Sequence, residues 1–119
     1  MDCIHLTGIR SYGYTGALPE EQVLGQWFEV DLILWLDLQP AGQSDCLEDT
    51  LDYRGVITMV QQLVKTARFA LLERLATAIA DSILNWQSIE QVQVRLTKLA
   101  APIPDFTGQV TIELIRRPS

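Results

Sequence analysis

The sequence predicts an α+β fold in which a four-stranded antiparallel sheet carries two helices on one face. Residues 28–37 and 89–98 alternate between apolar and polar side chains, which is typical of strands with one buried face. Residues 52–67 and 71–85 instead place apolar side chains at helical spacing. With a further strand at each end of the chain, the predicted order is β-β-α-α-β-β. The simplest packing places both helices on the aliphatic face of the sheet.

The first half of the predicted sheet is a pair of strands joined by a long loop. Residues 2–10 form the first strand, and a glycine-rich loop over residues 12–25 follows it. The second strand is the clearest element, because every second residue from Phe28 to Leu36 is aliphatic or aromatic. That face must be covered by the helices.

The rest of the chain contains, in order, a polar connection, two helices and two strands, over residues 39–50, 52–67, 71–85, 89–98 and 108–117. Either Thr50 or Asp52 suits the N-cap position of the first helix. The second face of the sheet is mostly polar but includes Ile33, Trp35 and Ile115. This face therefore lies against either water or the wall of an oligomeric barrel.

Length and composition define the broad class of the protein. Its 119 residues suffice for one domain, and 48% hydrophobic with 20% charged residues is ordinary for a globular protein. The formal net charge of −6 disfavours binding to nucleic acid and to anionic membranes. No segment approaches the ~20 apolar residues of a membrane span, and the N-terminal residues lack the pattern of a signal peptide. We therefore expect no nucleic-acid or membrane partner.

The cysteine and histidine content limits disulfide and metal chemistry. Cys3 and Cys46 match neither a zinc-binding spacing nor a disulfide framework, which fits the reducing cytoplasm. His5 is the single histidine, which excludes a metal site built on several histidines. We therefore expect a cytoplasmic protein with no metal site.

Lys98 extends the apolar face of a predicted strand. It follows Val92, Val94 and Leu96 at a spacing of two residues, so it lies on the same face as these side chains. Partial burial disfavours the charged form of a lysine and a nearby carboxylate favours it, so a lysine in this setting is a candidate for proton transfer. The alternative is a strand-end lysine whose amine reaches water along its flexible stem.

Three other residues are candidates for a functional site, each with a structural alternative. Glu73 falls beside the apolar stripe in the first turn of the second helix, so it is either a helix-start carboxylate or a partly buried anion that faces a pocket. In the second case its two oxygens suit a ligand with adjacent N–H donors. Tyr53 opens the first helix and Glu21 lies in the glycine-rich loop, where packing and simple solvation are the alternatives.

These candidates fall in segments that resemble the dihydroneopterin aldolase family from the first strand to the last. The segments are Gly8–Arg10 with Tyr12–Gly16, Pro19–Glu21 with Gly25–Gln26, Val30–Leu32, Asp45 with Asp49–Tyr53, Leu71–Ala76, and Lys98 with Pro102–Pro104. Their number and order make the resemblance specific. The chain departs from the family at Thr15, where histidine is usual, and at Leu99, where proline is frequent. The first change is expected to alter polar contacts around the loop, and the second only the exit of the strand.

The resemblance implies the tunnelling fold, or T-fold, in which four subunits join their sheets into a barrel. Two such rings usually stack into a homo-octamer, and a tetramer is the alternative. Active sites would then lie between neighbouring subunits, so that no single chain holds a complete site.

The implied reaction is retro-aldol cleavage of 7,8-dihydroneopterin in folate biosynthesis, giving 6-hydroxymethyl-7,8-dihydropterin and glycolaldehyde. The N5–C6 double bond of the pterin accepts electrons as N5 is protonated. The reaction then needs neither an imine on lysine nor a metal, and no cofactor is expected. The family also implies a side activity that epimerises the substrate at C2′.

The resemblance also assigns roles to the candidate residues. Lys98, Glu21 and Tyr53 are the expected catalytic residues: Lys98 serves in proton transfer, Glu21 keeps it oriented, and Tyr53 assists protonation at C1′. Glu73 is expected to anchor the 2-amino and N3 hydrogens of the pterin, with backbone groups near Leu51 contributed by the adjacent subunit. The full set of expected substrate-binding residues is Glu73, Leu72, Leu51, Tyr53 and Glu21.

Two alternative functions remain open at this point. An epimerase acting on dihydroneopterin triphosphate shares the fold, but a triphosphate requires several basic groups. The available arginines form no dense cluster in the sequence: Arg10, Arg54, Arg68 and Arg74. A non-catalytic pterin-binding or assembly protein with the T-fold would be marked by loss of the polar set, which this chain retains.

Overall fold

The structure is a four-stranded antiparallel sheet with helices packed on one face, and the computed structural model describes residues 1–119. The elements, in chain order, are β1 (Cys3–Gly13), α1 (Pro19–Leu24), β2 (Gln26–Trp35), α2 (Gln39–Ser44), α3 (Tyr53–Thr66), α4 (Leu72–Ile83), β3 (Gln91–Lys98) and β4 (Val110–Arg116). A short 3-10 turn, Leu47–Asp49, precedes α3. The predicted fold class is confirmed, with two short helices added to the predicted elements.

The strands of the sheet lie in chain order, β1-β2-β3-β4, so β1 and β4 form its edges. In the central pair, Phe28 of β2 lies opposite Lys98 of β3, and Trp35 lies opposite Gln91. Every second side chain from Phe28 to Leu36 is buried, as the alternation predicted. This register places Lys98 at the end of the sheet where β2 begins.

The two long helices cover the aliphatic face of the sheet. Apolar side chains of α3 and α4 are fully or almost fully buried against it: Val56, Val60 and Val64 from α3, and Leu72, Leu75, Ala76, Ile79, Ala80 and Ile83 from α4. Burying a large aliphatic side chain contributes about 1.5–3 kcal/mol, so this stripe stabilises the fold more than helix propensity does. No helix combines the length and the hydrophobicity needed to cross a bilayer.

Two regions predicted to be loops contain short helices. Residues 12–25 include α1, which begins with Pro19 and ends before Gly25, whose φ of 70° lies in the left-handed region that favours glycine. The polar connection over residues 39–50 contains α2, none of whose residues is buried. Strand β1 also runs three residues past its predicted end, to Gly13. Of the two N-cap candidates, Asp52 caps α3, because its Oδ1 accepts a hydrogen bond from the Arg54 amide at 3.1 Å.

Candidate active site

Lys98 and Glu21 form an ion pair at the end of β3. The Lys98 Nζ atom donates to Glu21 Oε2 at 2.6 Å, and only 14% and 6% of the two side chains are exposed. Strand β3 directs Lys98 to the covered face of the sheet, while α1 places Glu21 in its first turn. The structure therefore brings together two candidates that lie 77 residues apart in the chain.

The Glu21 carboxylate is held by two further donors. Gln26 Nε2 donates to the same Oε2 atom at 2.8 Å, and the Leu18 amide donates to Oε1 at 3.2 Å. Burial by itself raises the pKa of Glu21, but the hydrogen bonds from Lys98, Gln26 and Leu18, with the charge of Lys98, bring that pKa below its ordinary value. The carboxylate is thus kept ionised beside the amine.

Gln26 was not assigned a role from the sequence, although it lies in one of the family-like segments. Its amide nitrogen contacts Glu21, while its Oε1 atom is buried without a hydrogen-bond partner in the protomer. This contact depends on how β2 starts beside α1. The sequence therefore indicates it only through the place of Gln26 in a family-like segment.

A small cavity lies against Glu21. It has a volume of about 140 Å³ and is lined by Glu20, Glu21, Leu24, Gly25, Gln26, Ala100 and Pro102. A larger cavity of about 500 Å³ lies at the C-terminal end, between α4 and β4, and contains none of the predicted site residues. Of these two cavities, only the small one includes a candidate residue, Glu21.

Glu73 and Leu72 begin α4. Leu72 is buried, whereas Glu73 is exposed and its side chain forms no hydrogen bond within the chain. The expectation that Glu73 is partly buried is therefore wrong for a single protomer, because its side chain leaves the face of α4 that packs on the sheet. Its carboxylate stands free at the start of the helix.

Tyr53 and Leu51 lie at a separate cavity, the Tyr53 cavity. This cavity has a volume of about 360 Å³ and is lined by Leu47, Thr50, Leu51, Asp52, Tyr53 and Arg54. Leu51 is buried, and the Tyr53 side chain is 49% exposed. The Tyr53 cavity shares no lining residue with the small cavity beside Glu21. Within one protomer, therefore, Lys98 and Glu21 meet, while Tyr53 and Glu73 make no hydrogen bond to them.

Thr15 lies in the loop between β1 and α1. Its side chain is completely buried, and its Oγ1 atom has no hydrogen-bond partner in the protein. An unpaired buried hydroxyl costs roughly 1–3 kcal/mol, so this position is not optimised for stability.

Comparison with known sequences identifies relatives of the whole chain. The family model described as "FolB: Dihydroneopterin aldolase" matches residues 4–115. A curated relative from Synechocystis sp., named "Probable dihydroneopterin aldolase", is 55% identical over 116 residues, which cover 98% of this chain and 98% of that protein.

Solved structures show the same fold with ligands bound. Dihydroneopterin aldolase from E. coli, in complex with neopterin, matches with a TM-score of 0.89 and 28% identity, covering 98% of this chain and 99% of that chain. The enzyme of that name from Burkholderia thailendensis, bound to guanine, matches with a TM-score of 0.81 and 26% identity, covering 99% of this chain and 92% of that chain.

Proposed function

The chain belongs to the dihydroneopterin aldolase family, and we propose that it cleaves 7,8-dihydroneopterin at a site built around Lys98 and Glu21. As a member of this family the protein is an aldolase, a lyase of the folate pathway. The products are 6-hydroxymethyl-7,8-dihydropterin and glycolaldehyde. The observation that supports this location best is the 2.6 Å contact between Lys98 Nζ and Glu21 Oε2, in a position nearly closed to water.

Cleavage of the C1′–C2′ bond requires a base for the 2′-hydroxyl proton and an acceptor for the electron pair of the bond. As the hydroxyl proton leaves, its electrons form the carbonyl group of glycolaldehyde. The C1′–C2′ pair forms a C6–C1′ double bond, the C6–N5 π pair moves to N5, and N5 takes up a proton. Protonation at C1′ and loss of the N5 proton then give the hydroxymethyl product. The substrate is its own electron acceptor, so the protein has only to bind it and move protons.

Lys98 is suited to proton transfer because its amine has three donor positions on a flexible stem. Glu21 restricts that stem to one arrangement, which is what a positioned acid or base requires. Tyr53 is proposed to assist protonation at C1′ from the neighbouring subunit.

We infer that Glu73 anchors the pterin ring. Neopterin and guanine, the ligands in the two related structures, both carry an amino group beside a ring N–H. A carboxylate accepts two such hydrogens in parallel. The free carboxylate of Glu73 fits this task, with Leu72 beside it and the Leu51 backbone supplied by the neighbouring subunit.

The proposal includes a homo-oligomer, either an octamer or a tetrameric ring, with each site between two subunits. Two observations support it: the candidate residues lie at separate cavities in one protomer, and both edge strands of the sheet are unpaired. We also infer a cytoplasmic location, which fits the free thiols of Cys3 and Cys46.

The test is the release of glycolaldehyde from purified protein. We expect 7,8-dihydroneopterin to give equal amounts of glycolaldehyde and 6-hydroxymethyl-7,8-dihydropterin, with some substrate epimerised at C2′. Dihydroneopterin triphosphate is assayed in parallel under the same conditions. Epimerisation of the triphosphate without any glycolaldehyde from dihydroneopterin would contradict the proposal and identify the protein as an epimerase.

A further inference from the structure

Gly16 lies directly against the Glu21 side chain. A Cβ atom at Gly16 would overlap Glu21 Cβ, and it would lie 2.6 Å from the Cδ and 2.8 Å from the Oε2 of Glu21. Real Cβ atoms do not approach other heavy atoms this closely, so any side chain at residue 16 requires Glu21 or the loop to move. The φ angle of Gly16 is not in the left-handed region, so space, and not backbone conformation, requires glycine here.

The loop around Gly16 is fixed from both sides. The Gly16 amide donates to the Phe69 carbonyl at 3.0 Å, and its carbonyl accepts from Gln22 Nε2 at 2.8 Å. Arg68 donates to the Gln22 carbonyl at 2.8 Å and lies over the Tyr14 ring, 4.5 Å from its centroid. These contacts attach the loop to the connection between α3 and α4. A clash at residue 16 is therefore relieved by movement of Glu21.

On the basis of the proposed function, we propose that Gly16 is a positioning residue, whose missing side chain lets the Glu21 carboxylate reach Lys98. The clash includes Oε2, the Glu21 atom that accepts from both Lys98 Nζ and Gln26 Nε2. Displacing that atom breaks both hydrogen bonds and leaves the Lys98 amine without its partner. Gly16 thus acts on the reaction through Glu21 and without contact to the substrate.

The first test compares Gly16→Ala with Gly42→Ala. Gly42 is the matched control, because a Cβ there meets nothing within 4 Å. In Gly16→Ala we expect kcat for cleavage to fall roughly ten- to hundredfold, the loss typical of a reacting group displaced by about 1 Å. The affinity for neopterin should fall much less than kcat does, since Glu73, the proposed anchor of the pterin ring, is untouched. Gly42→Ala should match the parent in both. Cleavage by Gly16→Ala at the parent rate, or equal losses in kcat and neopterin affinity, would overturn the proposal.

The second test repeats the substitution in a Glu21→Gly background, where the clashing atoms are absent. If Gly16 acts only through Glu21, then Gly16→Ala causes no further loss of kcat in this background. Should Gly16→Ala alone fail to assemble, Glu21→Gly is expected to restore assembly, measured by size-exclusion chromatography. An equal loss of kcat in both backgrounds, or no restored assembly, would contradict the proposal. Failure of Lys98→Ala to slow cleavage would reject instead the proposed function of the pair.

Discussion

The ion pair of Lys98 and Glu21 adds little stability relative to apolar side chains of similar volume, although removing one partner alone destabilises the fold. Removing two charges from water costs several kcal/mol, and the attraction between them roughly offsets this. Apolar side chains of similar volume would fit the end of β3 and the start of α1 at least as well. We therefore attribute the pair to proton transfer and not to folding.

The first prediction at the residue scale concerns Lys98→Ala. If Lys98 moves protons, this change should lower kcat by about 10²–10⁴-fold, while neopterin binding stays near the parent value. Single-turnover cleavage and equilibrium neopterin binding measure the two quantities separately. Cleavage at the parent rate would exclude this role for Lys98.

Two further variants separate proton transfer from charge. Lys98→Arg keeps a positive charge beside Glu21, but a guanidinium does not deprotonate in proteins, so this variant is also expected to be slow. Lys65→Ala removes an exposed lysine from α3 and serves as the control with parent activity. Full activity in Lys98→Arg would mean that only the charge is needed.

The second prediction at this scale is that Glu21 makes stability depend on pH. Burial raises the pKa of Glu21, but its hydrogen bonds and the Lys98 charge bring it below the ordinary value of 4.5. A carboxyl whose pKa is lowered by folding stabilises the protein fully above about pH 4.5, and this contribution disappears as the pH falls through the folded-state pKa. The difference in unfolding free energy between the parent and Glu21→Gln should therefore shrink as the pH falls through 4.5 and below it.

Measurements at one protein concentration keep assembly from contributing to this comparison. Glu20→Gln is the control, since it removes the same charge from the same helix without breaking an ion pair. A difference for Glu21→Gln that does not vary with pH would show that its pKa is not lowered by folding.

At the scale of elements, we propose that α4 connects packing to substrate recognition. Its apolar stripe fixes the helix on the sheet, and the free Glu73 carboxylate lies at its first turn. We predict that Glu73→Ala weakens neopterin binding roughly 10- to 100-fold, since hydrogen bonds to a charged group contribute about 1.5–3 kcal/mol. Its effect on stability should stay within about 1 kcal/mol, the usual contribution of an acidic residue at a helix start.

Asp81→Ala is the matched control for this prediction, because Asp81 is an exposed carboxylate near the other end of α4. Isothermal titration with neopterin gives the affinity of each variant. Equal affinities for Glu73→Ala and the parent would remove Glu73 from the site.

The long elements were predictable because their patterns extend over several turns or residue pairs. Strand β2 shows this most clearly, because a continuous apolar face on a strand is stable only when it is buried. Helix α1 has only six residues and no apolar period, so its sequence pattern predicts a loop. Its signals were Pro19 and the two glutamates after it, which suit a first helical turn.

The candidate site was predictable only in part. The two-residue alternation of the strand predicts that Lys98 lies on the covered face. Nothing local in the sequence identifies Glu21 as the partner of Lys98, because their contact depends on how α1 packs beside β3. That pairing was available only from the family resemblance. The close approach of Gly16 to Glu21 depends on the same packing and could not be predicted from the loop itself.

At the scale of the whole molecule, the dimensions and surface of the chain support the proposed oligomer. Its radius of gyration is 15.5 Å, whereas a typical chain of this length has about 13.5 Å. Large apolar side chains are exposed, including Val23 at 75%, Leu24 at 70% and Trp27 at 55%. Exposed apolar groups of this size mark interaction surfaces, and the unpaired edges of β1 and β4 offer hydrogen bonds to a neighbour.

If each site takes Lys98 from one subunit and Tyr53 from the next, two inactive variants should restore each other. Lys98→Ala and Tyr53→Ala are each expected to be slow as homo-oligomers. After unfolding and refolding together in equal amounts, random assembly gives about one site in four with both residues intact. Cleavage should then rise to about a quarter of the parent rate, whereas refolding the double variant with either single variant should give none. Mixed oligomers that remain as slow as the separate variants would place Lys98 and Tyr53 in the same subunit's site or remove one of them from the reaction.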